Sequence, residues 1–422
     1  MITADRVLVV VGLAIVLLAL SSRLVKRHAL SPVVLALAAG VLVGPHALAV
    51  LDPTTVVPRG ELLEQTARVA LALAVFDITL RVGPRDLLAN RRRIAVLLLV
   101  VMPGMWLITA LGANLLLGLP LGLALLLGAA LTPTDPAAAS SLVTGVLPDQ
   151  SLPRRVRASL QVESAANDGL ALPFVLLAGL LVSVPIGDAV GPWLLDAGRQ
   201  VGIALAVGTA VGLVMRWLTD LAGVDRLAEE DWFPLASTGV ALSVLGLAHL
   251  LGGTGVLAAF AAGLTFSEGL PEGTRKPIHV VHRSVAKVSL VVVFLVFGTV
   301  LPVDQWWPEL GWGGVLFALW VLLLRRFPVT FPALLATGTG RLSSGFMAWS
   351  GPLGVAGIYY LAFAETLHVP QYETLFAAGS LAVTVSIVGQ ALSASPAVHG
   401  YRRRTGQVAP EGEELEIEGR LP

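Results

Sequence analysis

The sequence predicts an all-helical protein that crosses a membrane many times, and three observations carry that prediction. Of its 422 residues 55% are hydrophobic and only 13% charged, an apolar excess that no soluble globular domain needs. The apolar residues gather into about thirteen segments, most of them near the ~20 residues that a spanning helix requires. Two of those segments are interrupted at their middles by proline and glycine, at 133–136 and at 351–357. Helices broken inside a membrane belong to transporters, where the loosened backbone lines an ion site.

Taken in order, the segments run near 7–22, 31–50, 62–80, 94–118, 121–147, 156–183, 193–217, 233–250, 253–267, 284–301, 312–336, 345–366 and 373–392. The first reads as a span and not as a cleaved leader, because its charges (Arg23, Lys26, Arg27) follow the apolar run. The third carries Asp77. The fifth holds Thr-Pro-Thr-Asp-Pro, in which Pro133 and Pro136 bracket Asp135 and each remove a backbone donor. The sixth carries Glu163, Ser164, Asn167 and Asp168. The ninth is short and rich in glycine (Gly252, Gly253, Gly255, Gly263), as expected of a helix packed closely on a neighbour or stopping within the membrane. In the twelfth, Gly351, Pro352, Gly354 and Gly357 mark the second interruption.

An odd count with interruptions in the fifth and twelfth segments predicts two inverted six-helix repeats, about 1–183 and 233–401, joined by a linking helix at 193–217. The broken helices would cross at the midplane. Residues 402–422 form a short acidic tail, with Glu411, Glu413, Glu414, Glu416 and Glu418. Orientation follows the arginines, since cytoplasmic loops are enriched in them. Arg81, Arg85 and Arg91–Arg93 follow the third segment; Arg154, Arg155 and Arg157 the fifth; Arg275, Lys276, Arg283 and Lys287 the ninth; and Arg402–Arg404 the last. The loops 51–61, 184–192, 302–311 and 367–372 are nearly free of basic residues. The N-terminus is therefore expected outside, the C-terminus in the cytoplasm, and the protein in the plasma membrane.

Composition also excludes functions. Net charge is zero, so no bulk attraction to nucleic acid is expected, and the absence of cysteine removes disulfides, thiolate metal sites and cysteine nucleophiles. No cofactor is expected. A membrane-embedded aspartyl protease would use paired aspartates, but beside Pro332-Ala333-Leu334 the chain has neither a Tyr-Asp nor a Gly-x-Gly-Asp element. A passive channel would not need carboxylates for which proton and ion compete.

These residues together resemble a family, the monovalent cation:proton antiporters of the sodium/proton exchanger (NhaP-like) branch. Thr134-Asp135-Pro136 looks like its Thr-Asp-Pro in an unwound fifth helix, and Glu163-Ser164-Ala165-Ala166-Asn167-Asp168-Gly169 like its Glu-Ser-x-x-Asn-Asp-Gly in the sixth. Phe76-Asp77 resembles the acidic position of the third helix, residues 249–264 the span before the cytoplasmic loop, and Arg325-Arg326 the arginine of the eleventh. One departure stands out: the family's Gly-Pro-Arg-Gly in the twelfth helix is Gly-Pro-Leu-Gly here, with Leu353 in the arginine's place. The resemblance implies exchange of sodium, lithium or potassium for protons, one for one and without net charge movement because Asn167 is neutral. It also implies a homodimer.

The chemistry expected of the site centres on Asp168. A carboxylate within a span is costly and marks function, and one that can bind a proton or a dehydrated cation, but not both, couples the two fluxes. Ser164 lies one helical turn before Asp168 on the same face and can offer its oxygen to the same cation, with Thr134 and Asp135 adding donors from the broken helix. Glu163 and Asn167 share a face rotated from that of Asp168. Glu163 is expected to neutralise Arg325 or Arg326, since an intramembrane guanidinium demands an anion. For Thr134 a hydroxyl bonded back to its own helix is the plainer alternative. Asp77 either tunes the site or prepares for Arg81. His249 reads as a hydrogen-bonded packing residue more than a pH sensor, and Trp193, Trp306, Trp307 and Trp312 as an interfacial belt.

Overall fold

The computed structural model describes residues 2–22, 31–55, 57–135, 152–222, 232–268 and 272–405, and among them every regular element is a helix. Arg23, Lys26, Arg27, Pro136 with the rest of the fifth segment, the side chains of Arg275 and Lys276, and the acidic tail from 406 on lie outside the described residues, while 402–405, expected in the tail, continue the last helix. In chain order the helices are α1 (Ile2–Leu20), α2 (Pro32–Val43), α3 (Arg59–Ala89), α4 (Arg91–Leu117), α5 (Leu121–Ala130), α6 (Arg154–Leu180) and α7 (Ile186–Ala222). There follow α8 (Trp232–Leu250), α9 (Gly255–Ser267), α10 (Glu272–Thr299), α11 (Val303–Ala336, broken at 324–326), α12 (Arg341–Trp349), α13 (Val355–Thr366) and α14 (Tyr372–Thr405).

Among the described residues, five stretches are long and apolar enough to cross a membrane by themselves: α4, Ile186–Thr219 of α7, Val280–Thr299 of α10, α11 and α14. Seven of the others fall short for two different reasons. Helices α3 and α6 have the length, 31 and 27 residues, but carry the arginines and carboxylates. Helices α2, α5, α9, α12 and α13 are apolar but only 9 to 13 residues long.

Breaks and kinks fall where the sequence removes backbone donors. In α3 the kink is at Gly83 (φ +64°), a left-handed conformation that suits glycine, and Pro84 follows. In α4 a π-turn at Leu97–Val101 stands directly before Pro103, which cannot donate to the preceding turn. Helix α11 restarts at Phe327 with Pro328 in its first turn, where a missing N–H costs nothing.

Helix α3 is the hub, packing against α6, α8, α9, α10 and α13. Close approach is bought with glycine: Gly40 of α2 and Gly298 of α10 face each other, and a Cβ on either would collide with the other helix's backbone. A smaller apolar cluster, including Leu97, Val156, Phe346, Met347, Val398 and Tyr401, joins the ends of α4, α6, α12 and α14. At the centre, α5 stops at Ala130 and α12 at Trp349, and each runs on as non-helical backbone, 131–135 and 350–354. These two strands of irregular chain meet where Asp135 N donates to Pro352 O (2.9 Å).

Candidate ion-binding site

Irregular backbone buried in a membrane protein must find partners for its freed groups, and here nearly every partner can be named. Arg325, only 2% exposed, enters from the break in α11. One of its terminal nitrogens donates to the carbonyls of Leu131 (2.7 Å), Thr132 (3.0 Å) and Pro133 (3.3 Å), the other to that of Gly351 (2.5 Å). A single guanidinium thus covers the carbonyl ends of both interrupted helices, where helix dipoles concentrate negative charge. Gln390 of α14 donates to Trp349 O (2.8 Å), and Ser386, one turn earlier, accepts from Leu353 N (3.0 Å). At the start of α13, Asp135 Oδ2 accepts from Val355 N (3.1 Å), a carboxylate at the positive end of a helix. Gly354 makes room for it, since a Cβ there would strike the Asp135 carboxylate.

The polar side chains of α6 face this crossing. Glu163 and Arg326 form a two-pronged ion pair (2.7 and 2.8 Å), both buried, so of the two arginines Arg326 neutralises Glu163 while Arg325 serves the backbone. Asn167 bridges outward: its amide nitrogen donates to Thr134 Oγ1 (2.9 Å) and to Glu163 Oε1 (3.4 Å), and its oxygen accepts from Thr134 N (3.3 Å). Thr134 and Ser164 share a hydroxyl–hydroxyl bond (3.0 Å), so Thr134 bonds across to α6 and not back to its own helix. Asp168 is 2% exposed, with the charges of Asp135 and Glu163 acting on it. Its Oδ1 is buried and finds no hydrogen-bond partner among the described residues. Such an oxygen calls for a proton, a cation or a water.

Other residues fall differently from the sequence reading. Asp77 is buried but pairs with Arg81 one turn on (2.7 Å), within its own helix. His249 is exposed at the end of α8, so it does not pack as expected. Trp193 donates its indole N–H to Pro173 O (2.7 Å) and Trp306 to Ser380 Oγ (3.1 Å), which corrects their reading as belt residues alone: both are tied into the protein. The sequence reading missed Tyr360, Ser386 and Gln390. The last two lie four apart in the apolar α14, and that spacing was the available signal; Tyr360, whose hydroxyl donates to Asp168 O (2.5 Å), had none.

A crossing of two interrupted helices, with a buried carboxylate beside it, can be set against known proteins. The model of the sodium/hydrogen exchanger family, transmembrane part, matches residues 11–400. The chain belongs to the sodium/hydrogen exchanger family. As a member of it, the chain is a multi-pass membrane protein of ion transport. Among the exchanger's relatives, the Na(+)/H(+) antiporter of Schizosaccharomyces pombe is 27% identical over 400 residues, 89% of this chain and 84% of that protein. The Na(+)/H(+) antiporter 2 of Zygosaccharomyces rouxii is 29% identical over 332 residues, 76% of this chain but only 41% of that much longer protein. A K(+)/H(+) antiporter, NhaP2 of Shewanella oneidensis, is 30% identical over 280 residues, covering 65% of this chain and 46% of its own. In three dimensions the sodium proton antiporter MjNhaP1 of Methanocaldococcus jannaschii, solved at pH 8, superposes with a TM-score of 0.77 over 94% of this chain and 98% of its own. At 21% identity, that likeness establishes a shared fold.

Proposed function

We propose that this exchanger-family chain is a secondary antiporter that exchanges sodium or lithium for protons through competition at Asp168. The observation that carries the reading is the buried Asp168 Oδ1, without a hydrogen-bond partner among the described residues, beside two interrupted helices. A proton or a dehydrated monovalent cation satisfies that oxygen, and either excludes the other. If the protein changes its facing only when the site is loaded, one gradient drives the other. Asp135, Ser164, Thr134 and Asn167 complete the ion- and proton-binding set. Asn167 adds no titrating charge, so the exchange is electroneutral at one proton per cation. Glu163, Arg326 and Arg325 support the set, and Asp77 with Arg81 stands on the neighbouring α3.

The same reading gives the chain about thirteen spans, in line with helices whose lengths approach ~20 residues or are split at a break. It arranges them as inverted repeats, 1–183 and 233–401, about the linking helix. It sets the protein in the plasma membrane as a homodimer, N-terminus outside, with 402–422 a cytoplasmic tail. Potassium is the competing cation, favoured by the likeness to a relative named for K(+)/H(+) antiport.

The test is proton flux in proteoliposomes holding an imposed pH gradient, with sodium, lithium or potassium added in turn. Wild type should collapse the gradient when its cation is added; Asp168→Asn should lose at least about a hundredfold of that rate, since the group that carries the coupling is gone. An equally active Asp168→Asn protein removes Asp168 from the mechanism. Cation flux in wild type without proton movement makes it a channel.

A further inference from the structure

Helix α13 touches both aspartates of the candidate site, Asp135 at its carboxylate and Asp168 at its main chain. At its first residue, Val355 N donates to Asp135 Oδ2 (3.1 Å). Five residues on, about 7.5 Å along the axis at 1.5 Å per residue, the Tyr360 hydroxyl donates to the main-chain carbonyl of Asp168 (2.5 Å). That hydroxyl lies against the Asp168–Leu172 turn of α6. The Tyr360 ring is fully buried and leans on Tyr359 (ring centroids 4.8 Å apart). Helix α6 is held at the very next residue as well: a Cβ on Gly169 would come within 2.8 Å of the backbone of Leu257 in α9. The main chain that bears Asp168 is therefore clamped, and its distance from Asp135 is referred to one rigid half-helix.

From this we infer that Tyr360 is a specificity-determining, positioning residue of the antiport site: through its hydrogen bond to Asp168 it fixes the spacing of Asp168 and Asp135, and so the size of monovalent cation that fits between them. The inference rests on the antiport reading above. Lithium, sodium and potassium carry the same charge and differ in radius, so a site tells them apart only if its oxygens are held more rigidly than that difference. The groups that touch the ion are held that well when neighbouring hydrogen bonds lock the elements that carry them. Tyr360 supplies such a bond without itself needing to touch the ion. Its ring fills the same space in phenylalanine, so removing the hydroxyl removes the tie and little else.

Tyr360→Phe tests this in the proteoliposome assay, beside wild type, Asp168→Asn and Tyr359→Phe. Apparent KM for the preferred cation should rise about tenfold in Tyr360→Phe, and the ratio of KM values among lithium, sodium and potassium should fall toward one. Maximal rate should stay within about twofold of wild type, and Tyr359→Phe should match wild type throughout. Cation-dependent thermal shifts of the purified proteins give the same ratios without turnover. Unchanged KM ratios in Tyr360→Phe overturn the inference. So does complete loss of transport in a folded Tyr360→Phe protein, which would make the hydroxyl indispensable to the cycle instead of selective. Loss of a monodisperse fold would make it a structural requirement and overturn it equally. Gradient collapse in wild type but not in Asp168→Asn upholds the antiport reading whatever Tyr360→Phe does, so the two ideas fail separately.

Discussion

Glu163 and Arg326 are 1% and 5% exposed and meet through both prongs of the guanidinium. A pair like this gains little over a well-packed apolar pair, because both charges lose their water, but stranding one partner is costly. Glu163→Leu and Arg326→Leu should each destabilise the protein by about 3–5 kcal/mol, and the double variant by clearly less than the sum. Thermal unfolding in detergent, followed by tryptophan fluorescence, reads the comparison; a double variant as unstable as the two losses added would mean the residues are not coupled. At this scale the sequence was informative about charge and poor about partners. Carboxylates inside apolar segments are conspicuous, and Asp135, Glu163 and Asp168 are indeed all buried. Which arginine meets Glu163 depends on the break in α11, and adjacent arginines give no hint of it. Tyr360 was invisible because its partner is a main-chain carbonyl, which every residue has.

At the scale of elements, the interruptions were legible because proline and glycine state them directly, and 131–135 and 350–354 are non-helical where those residues stand. The means of satisfying them was not. Arg325 gives four hydrogen bonds to carbonyls of two different broken helices. Leu353 is fully buried two residues from Gly351, whose carbonyl is one of the four. Beside Leu353, where the resemblance leads one to expect an arginine, the Gly351 carbonyl is bonded by a guanidinium arriving from α11. Replacing Arg325 by Leu should cost at least about 3 kcal/mol, as two or more charge-assisted bonds worth ~1.5–3 kcal/mol each are lost. An arginine at 353 would start from the same stretch of irregular chain, so Arg325→Leu combined with Leu353→Arg should regain part of that stability and part of the transport rate. A combined variant no better than Arg325→Leu alone would show that only the approach from α11 serves both helix ends. Helix lengths, by contrast, were poorly legible. A segment of spanning length in the sequence becomes two short helices wherever the chain must open, as in α12 and α13.

For the molecule as a whole, the alternation of basic loops made a statement about faces, and the contacts gather those loops together. Arg93, at the α3–α4 junction, donates to Ser159 Oγ (3.1 Å) near the start of α6, and Arg154 pairs with Asp86 (3.0 Å). The end of α14 joins them, with Tyr401 bonded to Ser343 at the start of α12 (2.9 Å). At the opposite ends of these helices, Arg59 opening α3 pairs with Glu373 opening α14 (2.7 Å), and His46 lies 3.7 Å from Asp304. These arginine-rich ends of α3, α4, α6 and α14 therefore share one face, which the proposed orientation, following the positive-inside rule, sets toward the cytoplasm. Since the chain has no cysteine, a single introduced thiol reports its own location without further engineering. Asp188→Cys, exposed in the first turn of α7 within a stretch poor in basic residues, should react with a membrane-impermeant maleimide in intact cells. Arg85→Cys and Arg403→Cys should react only after permeabilisation. The reverse pattern would invert the protein in the membrane and with it the direction in which each gradient is used. A mixed pattern, with Asp188→Cys and Arg403→Cys on the same side, would require an even number of spans between them, against the odd number that the alternation of arginines demands.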